Sequence, residues 1–411
     1  MPETLTLVIS ASRLRDGRVV DLGIAADRIA VIADAHTLRA PTVLPADGRL
    51  VTESFVNAHL HLDKVYTLGM VGDSALTAYT SGSMGGAMTG IELARAVKES
   101  YDRSWILPNV RRALQEAARF GTLHILAFVD VDTTGRLEGF RAVVDAREEF
   151  KDVLDIRIVA FPQDGLLRDP GAAELCEEAM ASGADIVGGI PWIERSEADA
   201  ARHVAWACAL AARLGRPVAM LVDDANDASL TTTAMLAEAM LEHGLEGRGI
   251  ACHARAVGAY AEPAQRRLAG LARRAGLGFV TDPHTGPGHL PVDLFDRLGV
   301  AIALGQDDIE DAYYPFGRNN MAEVAFLAAH LLGFLSNADQ GRLLDFVTTG
   351  AAKVLGIPDH AIGEGHSANL VVHDCETVPD LLRNHAAPRW VVSRGRAVAE
   401  TQAHTNFLWK D

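Results

Sequence analysis

The sequence predicts a (β/α)8 (TIM) barrel carrying a small β-sandwich domain formed by the N- and C-terminal segments. Three observations lead there. Eight short apolar runs alternate with amphipathic stretches between Val51 and Gly356. Polar residues gather at the C-terminal ends of those runs, and short turn-linked β-like runs are confined to the two ends of the chain.

At the N-terminal end, from Leu5 to about Ile32, LTLVIS and GRVVDLGIAADRIAVIAD are short β-like runs, the second alternating and breaking at Gly and Asp. The same style returns in SANLVVHD (Ser367 to Asp374) and RWVVSRGRAVAE (Arg389 to Glu400). The economical reading is one composite β-sandwich of residues 1–50 and 360–411, with a single large domain, residues 51–359, inserted between them.

Within the insert the apolar runs are SFVNAHLH, LHILAFVDV, IRIVAFPQDG, DIVGGIPW, PVAMLVDD, GIACHAR, LGFVTDPH and VAIALGQDD. Nearly continuous apolar strands belong to a parallel sheet buried on both faces. Between the runs, stretches such as NVRRALQEAARF and AARHVAWACALAARLG repeat apolar residues at i, i+3 or i+4, and i+7, the helical period. Eight such units in roughly 300 residues match a closed barrel.

Composition sets the function classes. The 411 residues carry 38 Lys and Arg against 54 Asp and Glu, a net charge of −16, with 49% hydrophobic residues. A chain of this length and apolar fraction builds a large core, and its acidity argues against nucleic acid or anionic membrane as partners. Cys176, Cys208, Cys252 and Cys375 are scattered without CxxC spacing, so neither a disulfide framework nor a thiolate zinc site is expected. With no basic-then-apolar leader in MPETLTLVIS and no run of about 20 apolar residues, a soluble cytoplasmic protein acting on small molecules is the expectation.

The C-terminal rim is where chemistry sits in such a barrel. The rim residues here are His59 and His61, Asp130 and Asp132, Gln163, Trp192, Asp223 and Asp224, His253, Asp282 and His284, and Asp307 and Asp308. His59 and His61, two apart at the end of the first strand, face the same way and can share one cation. Asp307, on the last strand, where the barrel closes against the first, can complete a two-histidine, one-carboxylate metal site and take a proton from water. The bland alternative is that Asp307 or Asp308 caps the next segment.

These pieces resemble the amidohydrolase superfamily, in the branch of cytosine deaminase and N-isopropylammelide amidohydrolase. The resemblance runs over nearly the whole chain, through FVNAHLHLDK, FVDV, IRIVAFPQDG, GADIVGGIP, CHA and GQDDIEDAYYPFGRNNM. It implies His59, His61 and Asp307 as ligands of one divalent ion, zinc or iron, and His253 as a group that polarises substrate or water. It also implies Gln163 as a partner for a heterocycle edge and Tyr313 as an aromatic wall. DIVGGIPW offers no lysine to bridge a second metal.

The departures matter equally. The family's strand-five element carries a His ligand and a Glu acid–base; here Leu221 and Asp224 stand at those positions, and Phe128 replaces a second-strand histidine. Three readings follow. Asp223 or His253 replaces the missing ligand while Asp224 works as acid and base; or the metal is lost and His253, His284, Asp224 and Asp307 form an acid–base cluster; or the chain only binds a ligand. The retained histidine pair and Asp307 favour a metal-dependent amidohydrolase cleaving a C–N bond of a small nitrogen heterocycle such as a pyrimidine or triazine. Its apolar replacements suggest a substrate other than cytosine.

Secondary expectations complete the reading. Asp308 and His284 are candidate substrate contacts. Residues Gly69 to Gly90 form either a lid or a surface loop. The apolar stripe from Met321 to Leu332 and HLLGFLS packs on the barrel or forms an oligomer face, and the resemblance implies a homo-oligomer.

Overall fold

The computed structural model describes residues 4–71, 92 and 94–409. Eight parallel strands form the barrel: β6 (Phe55–Leu60), β7 (Thr122–Asp130), β8 (Asp155–Phe161), β9 (Ile186–Gly189), β10 (Val218–Val222), β11 (Gly249–His253), β12 (Gly278–Thr281) and β13 (Ile302–Leu304). They pair in chain order from β6 to β13. The circle closes through a parallel bridge between Leu60 and Asp307. There Asp307 N donates to His59 O at 2.8 Å and His61 N to Asp307 O at 2.9 Å. The two ends of the barrel therefore meet at the candidate site itself.

The strands are buried end to end, as the continuous apolar runs require; all nine residues of β7 are buried. Close packing sets some identities. A Cβ on Gly188 in β9 would lie 2.3 Å from the Ala160 carbonyl oxygen of β8, so only glycine fits. The helix Glu197–Leu214 shows how the crossovers are bounded: the Ser196 side chain accepts from Asp199 N, and Gly215 ends the helix at φ 65°.

Outside the barrel, β1 (Leu7–Arg13), β2 (Val19–Ala25), β3 (Arg28–Asp34) and β4 (Thr42–Pro45) form one sheet in the order β3-β2-β1-β4. A second sheet has the order β16-β15-β14-β5, from β5 (Val51–Glu53), β14 (Leu370–Val372), β15 (Trp390–Ser393) and β16 (Arg396–Glu400). Ile9, Leu22 and Ile24 of the first share a buried cluster with Val51, Leu370 and Val392 of the second, so the two sheets face each other over one core. The small domain thus takes strands from both chain ends. β5 pairs with β14, and we propose on that ground that the small domain continues past the expected boundary at residue 50 as far as Glu53.

The stripe of Met321–Leu332 turns Met321, Ala322, Val324, Ala325 and Ala328 into the barrel core. Residues 72–90 of the expected lid lie outside the described residues. No helix among the described residues is long and apolar enough to cross a membrane.

Candidate metal and substrate site

Three strand ends at the barrel mouth share an uncommon backbone conformation. Asp223 (φ 48°), just after β10, His253 (φ 66°), the last residue of β11, and Asp307 (φ 67°), three residues beyond β13, are left-handed without being glycine. Each such residue costs about 1 kcal/mol, and such strain collects where a fold aims side chains for function.

Asp307 and His253 are aimed inward. Asp307 Oδ1 lies 2.9 Å from His59 Nε2 and 3.7 Å from His61 Nε2. These three residues bring ligand atoms within 4.8 Å of one another, and His253, Asp282 and Asp307 form an overlapping group. The His59 ring sits 5.0 Å, centroid to centroid, from both His61 and His253. Phe128 lies against His59 at 4.4 Å and Phe161 against His61 at 5.4 Å, an aromatic floor that keeps water out.

Burial makes the histidine pair neutral. It pulls His59 down to about 3, with His253 adding repulsion, and pulls His61 well below its ordinary value, with Lys64 adding repulsion. Both His59 nitrogens and His61 Nδ1 are buried without hydrogen-bond partners. His59 Nε2 thus lies close to the Asp307 carboxylate without the alignment of a hydrogen bond. Neutral imidazole nitrogens, three of them without partners, converge with the Asp307 carboxylate, whose Oδ2 accepts from Thr285 Oγ1 at 2.9 Å, and together they are a donor set that fits a divalent cation. For Asp307 itself, burial and the neighbouring Asp282 raise the pKa well above the ordinary carboxylate range.

A buried cation organises the opposite wall. The Arg255 guanidinium donates from Nε to Asp224 Oδ1 at 2.7 Å, and from Nη2 to Thr285 Oγ1 at 2.7 Å and Asp282 Oδ2 at 3.3 Å. Asp282 Oδ1 in turn holds His253 Nδ1 at 2.9 Å, which leaves His253 Nε2 buried and without a partner. For Asp282, burial opposes ionisation, but His253 and Arg255 outweigh it and hold its pKa well below the usual value. Burial likewise disfavours charge on His253, yet Asp224, Asp282 and Asp307 raise it to about 9.

A second set of buried cations stands behind Gln163. Lys64 Nζ reaches Asp130 Oδ1 at 3.0 Å and donates to Gln163 Oε1 at 3.1 Å. Lys98 Nζ reaches Asp132 and Asp164, each at 2.7 Å. Burial works against both ammonium groups, but the carboxylates, Asp130 foremost, hold their pKa values above the ordinary one.

A small cavity lies between these walls at the barrel mouth. His61, Gln163, Asp224, His253, Asp307, Asp308 and Tyr313 line it with Ile190, Trp192 and Leu221, so most of the expected residues meet in one place. His284 does not line it: its Nε2 faces Gln306 O at 3.2 Å and its ring packs on Tyr314. Nor is Asp223 available as a replacement ligand. Its two oxygens accept from the backbone and hydroxyls of Thr232 and Thr233 at 2.6–3.0 Å, fastening the start of the helix Thr232–Glu242. Leu221, at the strand-five position, contributes an apolar patch.

Arg255, Lys64 and Lys98 were not read from the sequence as site residues. Lys64 falls inside the FVNAHLHLDK motif, and Arg255 lies two residues beyond His253, which are the signals that could have found them.

Residues 42–399 match the model of the Amidohydrolase family, and the chain belongs to that family. It is 26% identical to N-isopropylammelide isopropyl amidohydrolase of Pseudomonas sp. (strain ADP), over 98% of this chain and 99% of that protein. Its identity to pterin deaminase of Rhizobium rhizogenes is 27%, over 86% of this chain and 81% of that protein. The crystal structure of 5-methylcytosine deaminase from Klebsiella pneumoniae liganded with 5-fluorocytosine superposes with a TM-score of 0.89 at 27% identity, covering 98% of this chain and 100% of that one. The chain thus sides with the cytosine deaminase and ammelide branch, as FVNAHLHLDK and GQDDIED imply.

Proposed function

We propose that the protein is a metal-dependent hydrolase that cleaves a C–N bond of a small nitrogen heterocycle, by deamination or ring-amide hydrolysis. The observation that carries the reading is the convergence of buried His59, His61 and Asp307 on one point of the barrel rim, with both His59 nitrogens and His61 Nδ1 lacking hydrogen-bond partners. Those three residues would hold the ion, zinc or iron, which when bound supplies Lewis acidity toward a water or a ring atom.

The remaining steps belong to the chain. Asp307 accepts the proton of the attacking water. His253, oriented by Asp282 at Nδ1, directs Nε2 at the atom that develops charge or at the leaving nitrogen. The proton that Asp307 has taken then passes to the leaving nitrogen, with Asp224, its Oδ1 held by Arg255, relaying it through its second oxygen. Gln163 and Tyr313 hold the ring, and Asp308 borders it. Unpaired cysteines support a reducing, cytoplasmic setting, and the exposed Leu331 and Leu335 support self-association.

Ammonia release across pyrimidines, triazines and pterins, with metal content measured on protein purified without chelators, is the test. Leu221 in the strand-five position favours one competing reading, acid–base catalysis by His253, Asp224 and Asp307 without metal. Turnover by protein free of zinc and iron would select that reading.

A further inference from the structure

The main chain of Asp307 is pinned to β6 and the residue after it: its N–H donates to His59 O at 2.8 Å and its carbonyl accepts from His61 N at 2.9 Å. What the backbone leaves open is rotation of the carboxylate, a broad torsion in aspartate. That rotation decides which oxygen meets the histidines. Oδ1 is the atom beside His59 Nε2 and His61 Nε2, at 2.9 and 3.7 Å. Oδ2 accepts from Thr285 Oγ1 at 2.9 Å, which ties it to the loop after β12.

Thr285 can hold that rotation because it is itself fixed. It is 3% exposed, its N–H donates to Asp282 O at 3.1 Å, and its Oγ1 accepts from Arg255 Nη2 at 2.7 Å. A β-branched side chain is also stiff at its first torsion. Arg255 in turn is braced by Asp224 Oδ1 at 2.7 Å and by the carbonyl oxygens of Gly286 and Gly288 at 3.3 and 3.2 Å. A Cβ on Gly286 would come 3.3 Å from the guanidinium carbon, so the loop lies directly on the arginine. The threonine hydroxyl has one proton to place. Asp282 Oδ2, 2.7 Å away, competes for it, but Asp282 also accepts from His253 Nδ1 at 2.9 Å and from Arg255 Nη2 at 3.3 Å. An aspartate that ligates a cation is ionised, and Thr285 then supplies the donor that Oδ2 needs.

We propose that Thr285 is a positioning residue for the metal site: its hydroxyl, braced by Arg255, ties down Asp307 Oδ2 and so presents Oδ1 as the one carboxylate oxygen beside His59 and His61. A ligand held in place before the ion arrives binds it more tightly than one that must stop rotating first. Through Thr285, the cation that holds Asp224 also sets the geometry of Asp307, so a single buried arginine aligns both acids of the proposed chemistry. The inference rests on the metal reading given above, but it concerns how the ion is held and not the reaction.

The experiment titrates metal-free native protein, Thr285→Val and Thr285→Ser with zinc against a competing chelator, with urea unfolding as the check on the fold. Valine keeps the shape of threonine without the hydroxyl, and serine keeps the hydroxyl. Thr285→Val is expected to bind zinc about ten- to a hundredfold more weakly than native protein, and Thr285→Ser to stay within about threefold of it. With cobalt as the probe ion, the visible absorption bands of Thr285→Val should differ from the native ones in position or intensity, and those of Thr285→Ser should match them. A folded Thr285→Val that binds zinc within about threefold of native, or leaves the cobalt bands unchanged, overturns the proposal. So does an equal loss of affinity in Thr285→Ser, which would trace to the missing methyl group. Should Thr285→Val not fold, Thr285→Ser and Thr285→Ala, which differ by the hydroxyl alone, make the same comparison. Native protein that takes up no zinc overturns the metal reading and the role of Thr285 together, whereas native uptake that Thr285→Val leaves intact overturns the latter alone. The expected zinc affinities without ammonia release from any ring would sink the hydrolase reading and leave the role of Thr285 standing.

Discussion

Replacing Arg255 by Met tests the electrostatic design of the wall. The side chain is 3% exposed and serves two buried carboxylates, Asp224 at 2.7 Å and Asp282 at 3.3 Å, as well as Thr285 and the carbonyls of Gly286 and Gly288. Met keeps much of the volume and deletes the charge. Removing one partner of a buried ion pair costs about 3–5 kcal/mol, because a charge is left in low dielectric. Protonation caps that loss: neutralising one carboxylate of ordinary pKa near 3.9 costs about 4 kcal/mol at pH 7 and about 1.5 kcal/mol at pH 5. In the native protein, Asp282 has a lowered pKa, so its contribution is present above the unfolded value and is lost only as pH falls through the lowered one. Both test conditions lie above that window, so the native reference is unaffected there. The urea-unfolding deficit of Arg255→Met should therefore be about 4 kcal/mol at pH 7 and roughly halve or better at pH 5. A deficit under about 1 kcal/mol at pH 7, or one of equal size at the two pH values, would refute the reasoning.

Three further outcomes are expected. His61→Ala should lower bound zinc or iron from about one ion per chain to near none by elemental analysis, since only His59 and Asp307 of the proposed set remain. Asp223→Ala should cost about 2–3 kcal/mol in urea unfolding, because it strips the acceptor from Thr232 and Thr233, yet leave metal content unchanged. Burial opposes ionisation of Asp21, but the backbone N–H groups of Ala11, Leu38 and His36 prevail and lower its pKa. Its contribution holds above the unfolded value and fades as pH drops through the folded one, so below about pH 4 the stability gap between native and Asp21→Asn protein should narrow, read by thermal melts.

Much of this molecule is written in local pattern. The eight apolar runs became β6 to β13 because a strand buried on both faces has no room for polar alternation, and that signature survives without any partner strand in view. His59, His61 and Asp307 were legible for a similar reason: strand spacing fixes the pair, and closure of a barrel sets its last strand beside its first. What stayed hidden is the pairing of residues far apart in the chain. Lys64 meets Gln163 across 99 positions, and nothing in either segment marks the contact. Asp223 and Asp224 are adjacent and chemically alike, yet the left-handed turn at Asp223 sends one to the helix start and the other to Arg255. His284 sits beside rim residues in sequence but packs on Tyr314, while its neighbour Thr285 turns to Asp307 and Arg255.

The acidic excess of the chain, a net charge of −16, has a counterpart in the barrel mouth. Asp130, Asp132 and Asp164 surround Lys64 and Lys98, while Asp224 and Asp282 surround Arg255. Asp307 is paired instead with His59 and His61, which burial keeps neutral. His253 is the nearby cation, but Asp224, Asp282 and Asp307 share it, and burial with Asp282 still holds the Asp307 pKa well above the ordinary carboxylate range. A divalent ion held by this carboxylate and the two neutral imidazoles would favour its ionised form, whether or not strand five contributed a ligand. The proposed metal at His59, His61 and Asp307 is therefore compatible with Leu221 in the cavity wall.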